Sequence, residues 1–350
     1  MVVCALGASL STAADETAPL LQNRSIAYVL TEAHWAIYQT PGGKTECPNG
    51  LNVGPREEFK ALFPADGHKR TYVDTAMARE AEIWFPGSHT DPLPFQEAQG
   101  KISYGLNLDG KIGPNDFTSP DGQPGVDNQL FRALGCIAAY RGPDGFLYFF
   151  NNLFVQNENY NRVVIELTNV DSLVNDDDVT VTTYRGLDPL LTDATGNDYL
   201  PRGTQRLDLR WGREFIQHFH GRIKDGVLQT EPADLTLPAA ADEEDLTVQE
   251  FRDLRWRLKL TPEEAEGLMA GYVDVEAFYL QSNESWSTHH HSYGSNSASS
   301  MYRALRRLAD AYPDPATGQN TAISSALQVK FKQVFINRPV QDGAVTPGTH

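Results

Sequence analysis

Cysteine is scarce. Three residues, Cys4, Cys47 and Cys136, occur in 350, which leaves room for one bridge and not for a dense disulfide framework. Basic residues are also few, 29 Lys and Arg against 46 Asp and Glu, for a formal net charge of −17. Such a chain repels a polyphosphate except at a local basic patch, so no nucleic acid is expected as its general partner. The same repulsion disfavours anionic membrane surfaces. Beyond the first residues no apolar run reaches the roughly 18 that a membrane helix needs, so no membrane span is expected. Motifs of nucleophilic, metalloprotease, redox-thiol and phosphate-binding chemistry are missing: there is no G-x-S-x-G, H-E-x-x-H, C-x-x-C or Gly-rich phosphate loop.

What is present suits a globular core, with 40% hydrophobic and 10% aromatic residues. The length fits one large domain or two smaller ones. Met1 to Ala14 carries no charge; its apolar run Val2-Val3-Cys4-Ala5-Leu6-Gly7-Ala8 ends in the small residues Ser11-Thr12-Ala13-Ala14. It reads as the h-region and cleavage site of a secretory signal peptide lacking its basic leader, so residues 1–14 are expected to be a signal-peptide remnant and the protein secreted, periplasmic or extracellular. Once Cys4 leaves with that segment, Cys47 and Cys136 form an even pair in an oxidising compartment and are expected to be bridged; two unrelated buried thiols are the alternative.

Period-two patterns dominate the middle of the chain. Val163, Ile165 and Leu167 alternate with more polar positions, as do Val179 and Val181, the run Leu207, Leu209 and Trp211, the run Leu254, Trp256, Leu258 and Leu260, and finally Leu327, Val329 and Phe331. This one-sided pattern belongs to antiparallel sheets. The expected fold is therefore α+β, β-rich, an antiparallel β-sandwich of jelly-roll or lectin-like character with a few short helices. Residues 15–144 are expected to form a loop-rich N-terminal portion, 145–338 the sandwich, and 339–350 a flexible tail. Helices are predicted over Pro55–Phe63, from an N-cap at Asp127 through Tyr140, and over Ala298–Ala311, whose Met301, Leu305 and Leu308 share a face. Ser25–Tyr38 fits strand or helix.

The most specific local signal runs from Gly105 to Phe117, where Asn107, Asp109, Gly110, Ile112 and Asp116 are spaced as in a cation-binding turn. This segment resembles the calcium loop of dockerin modules and EF-hands; Asn107, Asp109 and Asp116 would fall on ligand positions, Gly110 on the turn glycine and Ile112 on the aliphatic position. Gly105 departs from the pattern, standing where the first ligand should be. Asp121 and Asp127 follow within a short loop and supply further hard oxygen ligands, so calcium is expected within residues 107–128 in a structural role. Asx-turns that need no ion are the alternative.

His218 and His220 flank Phe219 in a predicted strand, which would project both imidazoles from one face towards zinc or copper, with His289-His290-His291 as a possible reach-in group. Arg206, Arg210, Arg255, Arg257 and Lys259 would form basic stripes on outer strand faces, read either as partner-binding surface or as cross-strand charge pairing. Trp84, Tyr199, Trp286 and Tyr293 stand in polar surroundings where they could stack on sugars. Three functions follow: a secreted calcium-stabilised protein recognising a glycan or other surface polymer; a secreted glycan-active or metal-dependent enzyme, whose catalytic carboxylates need only spatial proximity; or a structural protein of an envelope or matrix.

Overall fold

The computed structural model describes residues 21, 23–44, 46–48, 50, 51, 95–142, 145–157, 159–239, 248–284, 296 and 298–338. The expected signal-peptide remnant, the Pro55–Phe63 helix, His289–His291, Trp84, Trp286, Tyr293 and the tail after 338 lie outside them.

Among the described residues thirteen strands are present: β1 (Ile26–Trp35), β2 (Phe117–Thr118), β3 (Pro124–Val126), β4 (Val163–Thr168), β5 (Asp176–Arg185), β6 (Gly203–Arg206), β7 (Gln217–Lys224), β8 (Val227–Thr230), β9 (Ala233–Pro238), β10 (Val248–Leu260), β11 (Glu264–Asp274), β12 (Ala311–Pro313) and β13 (Asn320–Asn337). Four α-helices accompany them among the same residues: α1 (Leu130–Leu134), α2 (Phe146–Gln156), α3 (Val275–Glu284) and α4 (Ala298–Leu308). The main sheet runs β1-β4-β5-β7-β8-β10-β11-β13, and β13 pairs back onto β1. The expectation of a sandwich is thus corrected: this is a closed eight-stranded antiparallel barrel with extra strands. Closure is carried by the register Ala27↔Val334 through Trp35↔Leu327 between β1 and β13. β1, N-terminal to the segment expected to make the sandwich, is the strand that removes both sheet edges.

Alternation decides what enters the barrel. Tyr28, Ile165, Val181, Trp256, Leu258 and Phe331 belong to one buried cluster, and Trp256 meets Phe331 at 5.6 Å between ring centroids. Tyr28, fully buried, donates its hydroxyl to the Thr261 carbonyl at 2.8 Å, so its polar tip is satisfied inside an apolar interior. At the opposite end Trp35 packs edge-on against Phe278 of α3 at 5.4 Å. Opposite the barrel interior, β10, β11 and β13 carry Arg255, Arg257, Lys259, Glu264, Glu266, Lys330 and Lys332, the reverse of a lipid-facing apolar band. No helix among the described residues is long and apolar enough to cross a membrane.

In the first half of β1 and nearly all of β4 successive residues are buried, because both faces of these strands are covered. The excursion between β5 and β7 crosses outside them, and Leu190 and Tyr184 pack on Ala27, Val29, Val164 and Val334. Beyond Val29, β4 no longer pairs with β1. There α2 takes over the exposed edge with side chains: Ala33 N–H donates to Asn152 Oδ1 at 2.8 Å, and Gln156 Nε2 donates to the Thr31 carbonyl at 3.0 Å.

Three local expectations are corrected. The helix expected from Asp127 through Tyr140 spans only Leu130–Leu134, with a separate 3-10 turn at Ala138–Tyr140. The run Leu207–Trp211 is a 3-10 turn over Leu209–Trp211, held where Asp208 accepts from the Arg210 amide. The predicted Ala298–Ala311 helix ends at Leu308, and Ala311 begins β12. The Cys47–Cys136 disulfide is present.

Candidate functional site

The segment from Tyr104 to Asn128 lies across the outside of the barrel. Leu108 is buried among Ala270, Tyr272, Ala322 and Ala326. Two residues from the expected basic stripe clamp it. Arg255 donates to the carbonyls of Asn107 at 2.9 Å and Leu108 at 2.8 Å, and Arg257 donates to Gln123 Oε1 at 3.2 Å. Inside the loop, Gly125 adopts φ +81°, and a Cβ there would stand 2.8 Å from the Lys111 carbonyl. Only glycine lets the two turns approach that closely.

The oxygen-bearing residues of the calcium-type segment are engaged in hydrogen bonds within it. Asn107 Oδ1 accepts from Gly110 N at 2.7 Å while its Nδ2 donates to the Lys111 carbonyl. Asp109 Oδ1 accepts from Lys111 N at 2.8 Å, Asp116 Oδ2 from Gly113 N at 2.5 Å, and Asp127 Oδ2 from Leu108 N at 2.7 Å. Asp121 accepts from Ser119 and from Gln123 Nε2. Those of Asn107 and Asp109 are Asx-type bonds of the kind set out above as the alternative. Asp127 therefore turns back to the loop instead of capping α1.

Three of the five residues nevertheless converge. Asp109, Asp116 and Asp127 line a cleft of about 610 Å³ together with Asp310, Tyr272 and Arg132. Asn107 and Asp121 do not line it. Asp310 is anchored by Ser324, whose amide and hydroxyl donate to its two oxygens at 2.7 and 2.6 Å. Burial pushes the Asp127 carboxyl up to about 6, and the neighbouring charges of Asp116 and Asp109 add to the shift. Burial likewise raises Asp310, with Asp116 contributing. The Tyr272 hydroxyl is raised by burial and then by Asp127, Asp310 and Asp109. Arg132 does not neutralise this wall: its guanidinium donates to Gln129 Oε1 and to the carbonyls of Ala98 and Asn115. Arg307, also on the rim, is paired with Glu97. Among the described residues no group of three His, Cys, Asp or Glu side chains is arranged to hold a metal ion.

His218 and His220 do project from one face of β7, and both are exposed. His218 Nδ1 lies 2.8 Å from Thr182 Oγ1, and His220 Nδ1 lies 3.7 Å from Asp178 Oδ1. No third ligand joins them among the described residues, so zinc or copper is left with two imidazoles. Arg206 and Arg210, the rest of the expected stripes, pair with Asp188 and Asp208; neither acid stands on a neighbouring strand, so these pairs differ from the cross-strand pairing set out as the alternative. Tyr199 is half-buried in the excursion between β5 and β7.

Sequence reasoning missed Asp310 and Tyr272, which reach the cleft from far along the chain, and Ser324, which holds Asp310. A second cluster was missed as well. On the outer face of β1, Glu32 accepts from Tyr148 at 2.6 Å and Lys330 at 2.9 Å, with His34 Nδ1 at 3.6 Å and its ring 4.6 Å from that of Tyr148.

No protein-family description, characterised protein or solved structure matches this chain.

Proposed function

We propose that this is an extracellular, calcium-stabilised binding protein that recognises a glycan or another surface polymer. The observation that carries the reading is that Asp109, Asp116 and Asp127 line one cleft with Asp310, where burial, with repulsion from Asp116 and Asp109 added, holds Asp127 protonated up to about 6. A divalent cation relieves that repulsion, and calcium completes its six to eight oxygens with carbonyls and water where carboxylates are too few. Its role is to brace the loop laid over the barrel. The Cys47–Cys136 bridge accords with an oxidising compartment.

The test is thermal unfolding of metal-stripped protein titrated with Ca²⁺ at pH 7.5. Saturable stabilisation of about 2–3 kcal/mol is expected once Ca²⁺ is near a hundredfold above its Kd. The effect should vanish in Asp116→Asn and weaken as pH falls through about 6, where protons compete for Asp127. An unfolding midpoint indifferent to Ca²⁺ overturns the calcium part of the reading.

One observation favours an enzyme instead. A carboxyl titrating near 6 beside two further carboxylates is the equipment of a general acid in glycoside hydrolysis. Polysaccharide cleavage with an acid limb near 6, abolished in Asp127→Asn, would move the assignment to a hydrolase.

A further inference from the structure

Within a chain of net charge −17, one region of the barrel exterior groups four cations that make no ion pair among the described residues, although Asp121 lies within electrostatic reach of Arg257. Arg222 and Arg257 stand on either side of Gln229 in the paired registers of β7, β8 and β10, and Lys224 and Lys259 stand on either side of Val227. Strand geometry sets these four about 7 Å apart along a strand and about 10 Å apart across two. Arg222, Lys224 and Lys259 are exposed and Arg257 is partly so. None of the four makes an ion pair among the described residues, although Glu266 stands opposite Lys259 in register. Arg222 reaches only Gln229 Oε1, at 3.5 Å. Other cations of the same barrel face differ: Lys330 and Lys332 pair with Glu32 and Glu264.

We propose that this two-by-two lattice of Arg222, Lys224, Arg257 and Lys259 is the docking face for a polyanionic polysaccharide, one bearing sulfates or uronates. The inference rests on the polymer-binding reading above and names the partner's chemistry. The acidic remainder of the molecule does not forbid it, because charges more than about 8 Å away are screened at physiological ionic strength. Nucleic acid fits less well. Among the described residues this face offers no aromatic ring on which a single strand could stack.

The experiment uses the full chain, with heparin, neutral dextran and oligo(dT) as probes, measured by calorimetry at about 50 and 200 mM salt. Heparin should bind and weaken steeply over that range. The triple variant Arg222→Gln, Lys224→Gln, Lys259→Gln should bind heparin at least tenfold more weakly with its unfolding midpoint unchanged; Arg257 is spared because it holds Gln123. Heparin affinity equal in variant and wild type, or absent in both, overturns the proposal. Oligo(dT) binding as tight as heparin overturns the assignment of partner class. Binding to dextran that the triple variant retains would sink this face while leaving the wider polymer-binding reading standing; loss of binding to every glycan probe sinks both.

Discussion

Burial pulls the His34 imidazole below its ordinary value of 6.5, because desolvating its cation outweighs the attraction of Glu32 and the hydrogen bond to Gln328. The unfolded chain therefore takes up that proton first. His34 contributes stability above about pH 6.5, and that contribution is lost as pH falls through the lower folded value. Asp127 has the opposite sign. Its carboxyl rises from 3.8 to about 6 on folding, so its contribution is complete below about 3.8 and is lost as pH rises through about 6. Urea midpoints of metal-free protein between pH 3.5 and 7.5 separate the two. His34→Gln should flatten the loss of stability on acidifying below about 6.5, and Asp127→Asn should flatten the decline between about 3.8 and 6. Curves for both variants parallel to wild type would refute these attributions. Neither environment was legible in sequence. His34 is desolvated by α2 and β13, and Asp127 is repelled by residues that only the folded loop brings close.

Among the elements, the strands with one wet face were readable. Leu254, Trp256, Leu258 and Leu260 turn inward, as do Val329 and Phe331 with the partly buried Leu327. Alternation failed where packing was unusual. Residues 146–156 fell within the segment expected to be sandwich; α2 forms there with Phe149 exposed, and its Asn152 and Gln156 side chains complete the β1 edge. Leu209 alternates correctly in sequence yet is exposed, in a turn held by Asp208. The β10–β11 ladder offers a sharp test. A Cβ on Gly267 would lie 2.1 Å from the Arg257 carbonyl, a contact relieved only by parting two barrel strands. Gly267→Ala should therefore destabilise by about 3 kcal/mol or more in urea unfolding. A loss below about 1 kcal/mol would show that the ladder shifts freely there.

For the whole molecule, closure is the decisive event. β1 and β13 are separated by nearly the length of the chain, yet their pairing turns an open sheet into a barrel. The disulfide adds a second long-range tie, joining the segment at Cys47 to the residues after α1 across 89 positions. Removing it with Cys47→Ser plus Cys136→Ser should cost about 3–5 kcal/mol, from the loop entropy returned to the unfolded chain. An unchanged midpoint would mean that the unfolded chain is restrained in that part by residual structure without the bridge.

The sequence by itself determined which residues face the core in the amphipathic strands, that Cys47 and Cys136 pair, and that acidic oxygens cluster between 107 and 128. All of these depend on period, parity or short spacing. Tertiary structure alone decided between barrel and sandwich, since both use the same inside–outside alternation and differ only in whether the first and last strands meet. It also decided that Asp310 joins Asp109, Asp116 and Asp127, and that Arg255 and Arg257 serve as a clamp for the acidic loop. Those placements depend on strand register between distant segments, which no local pattern encodes.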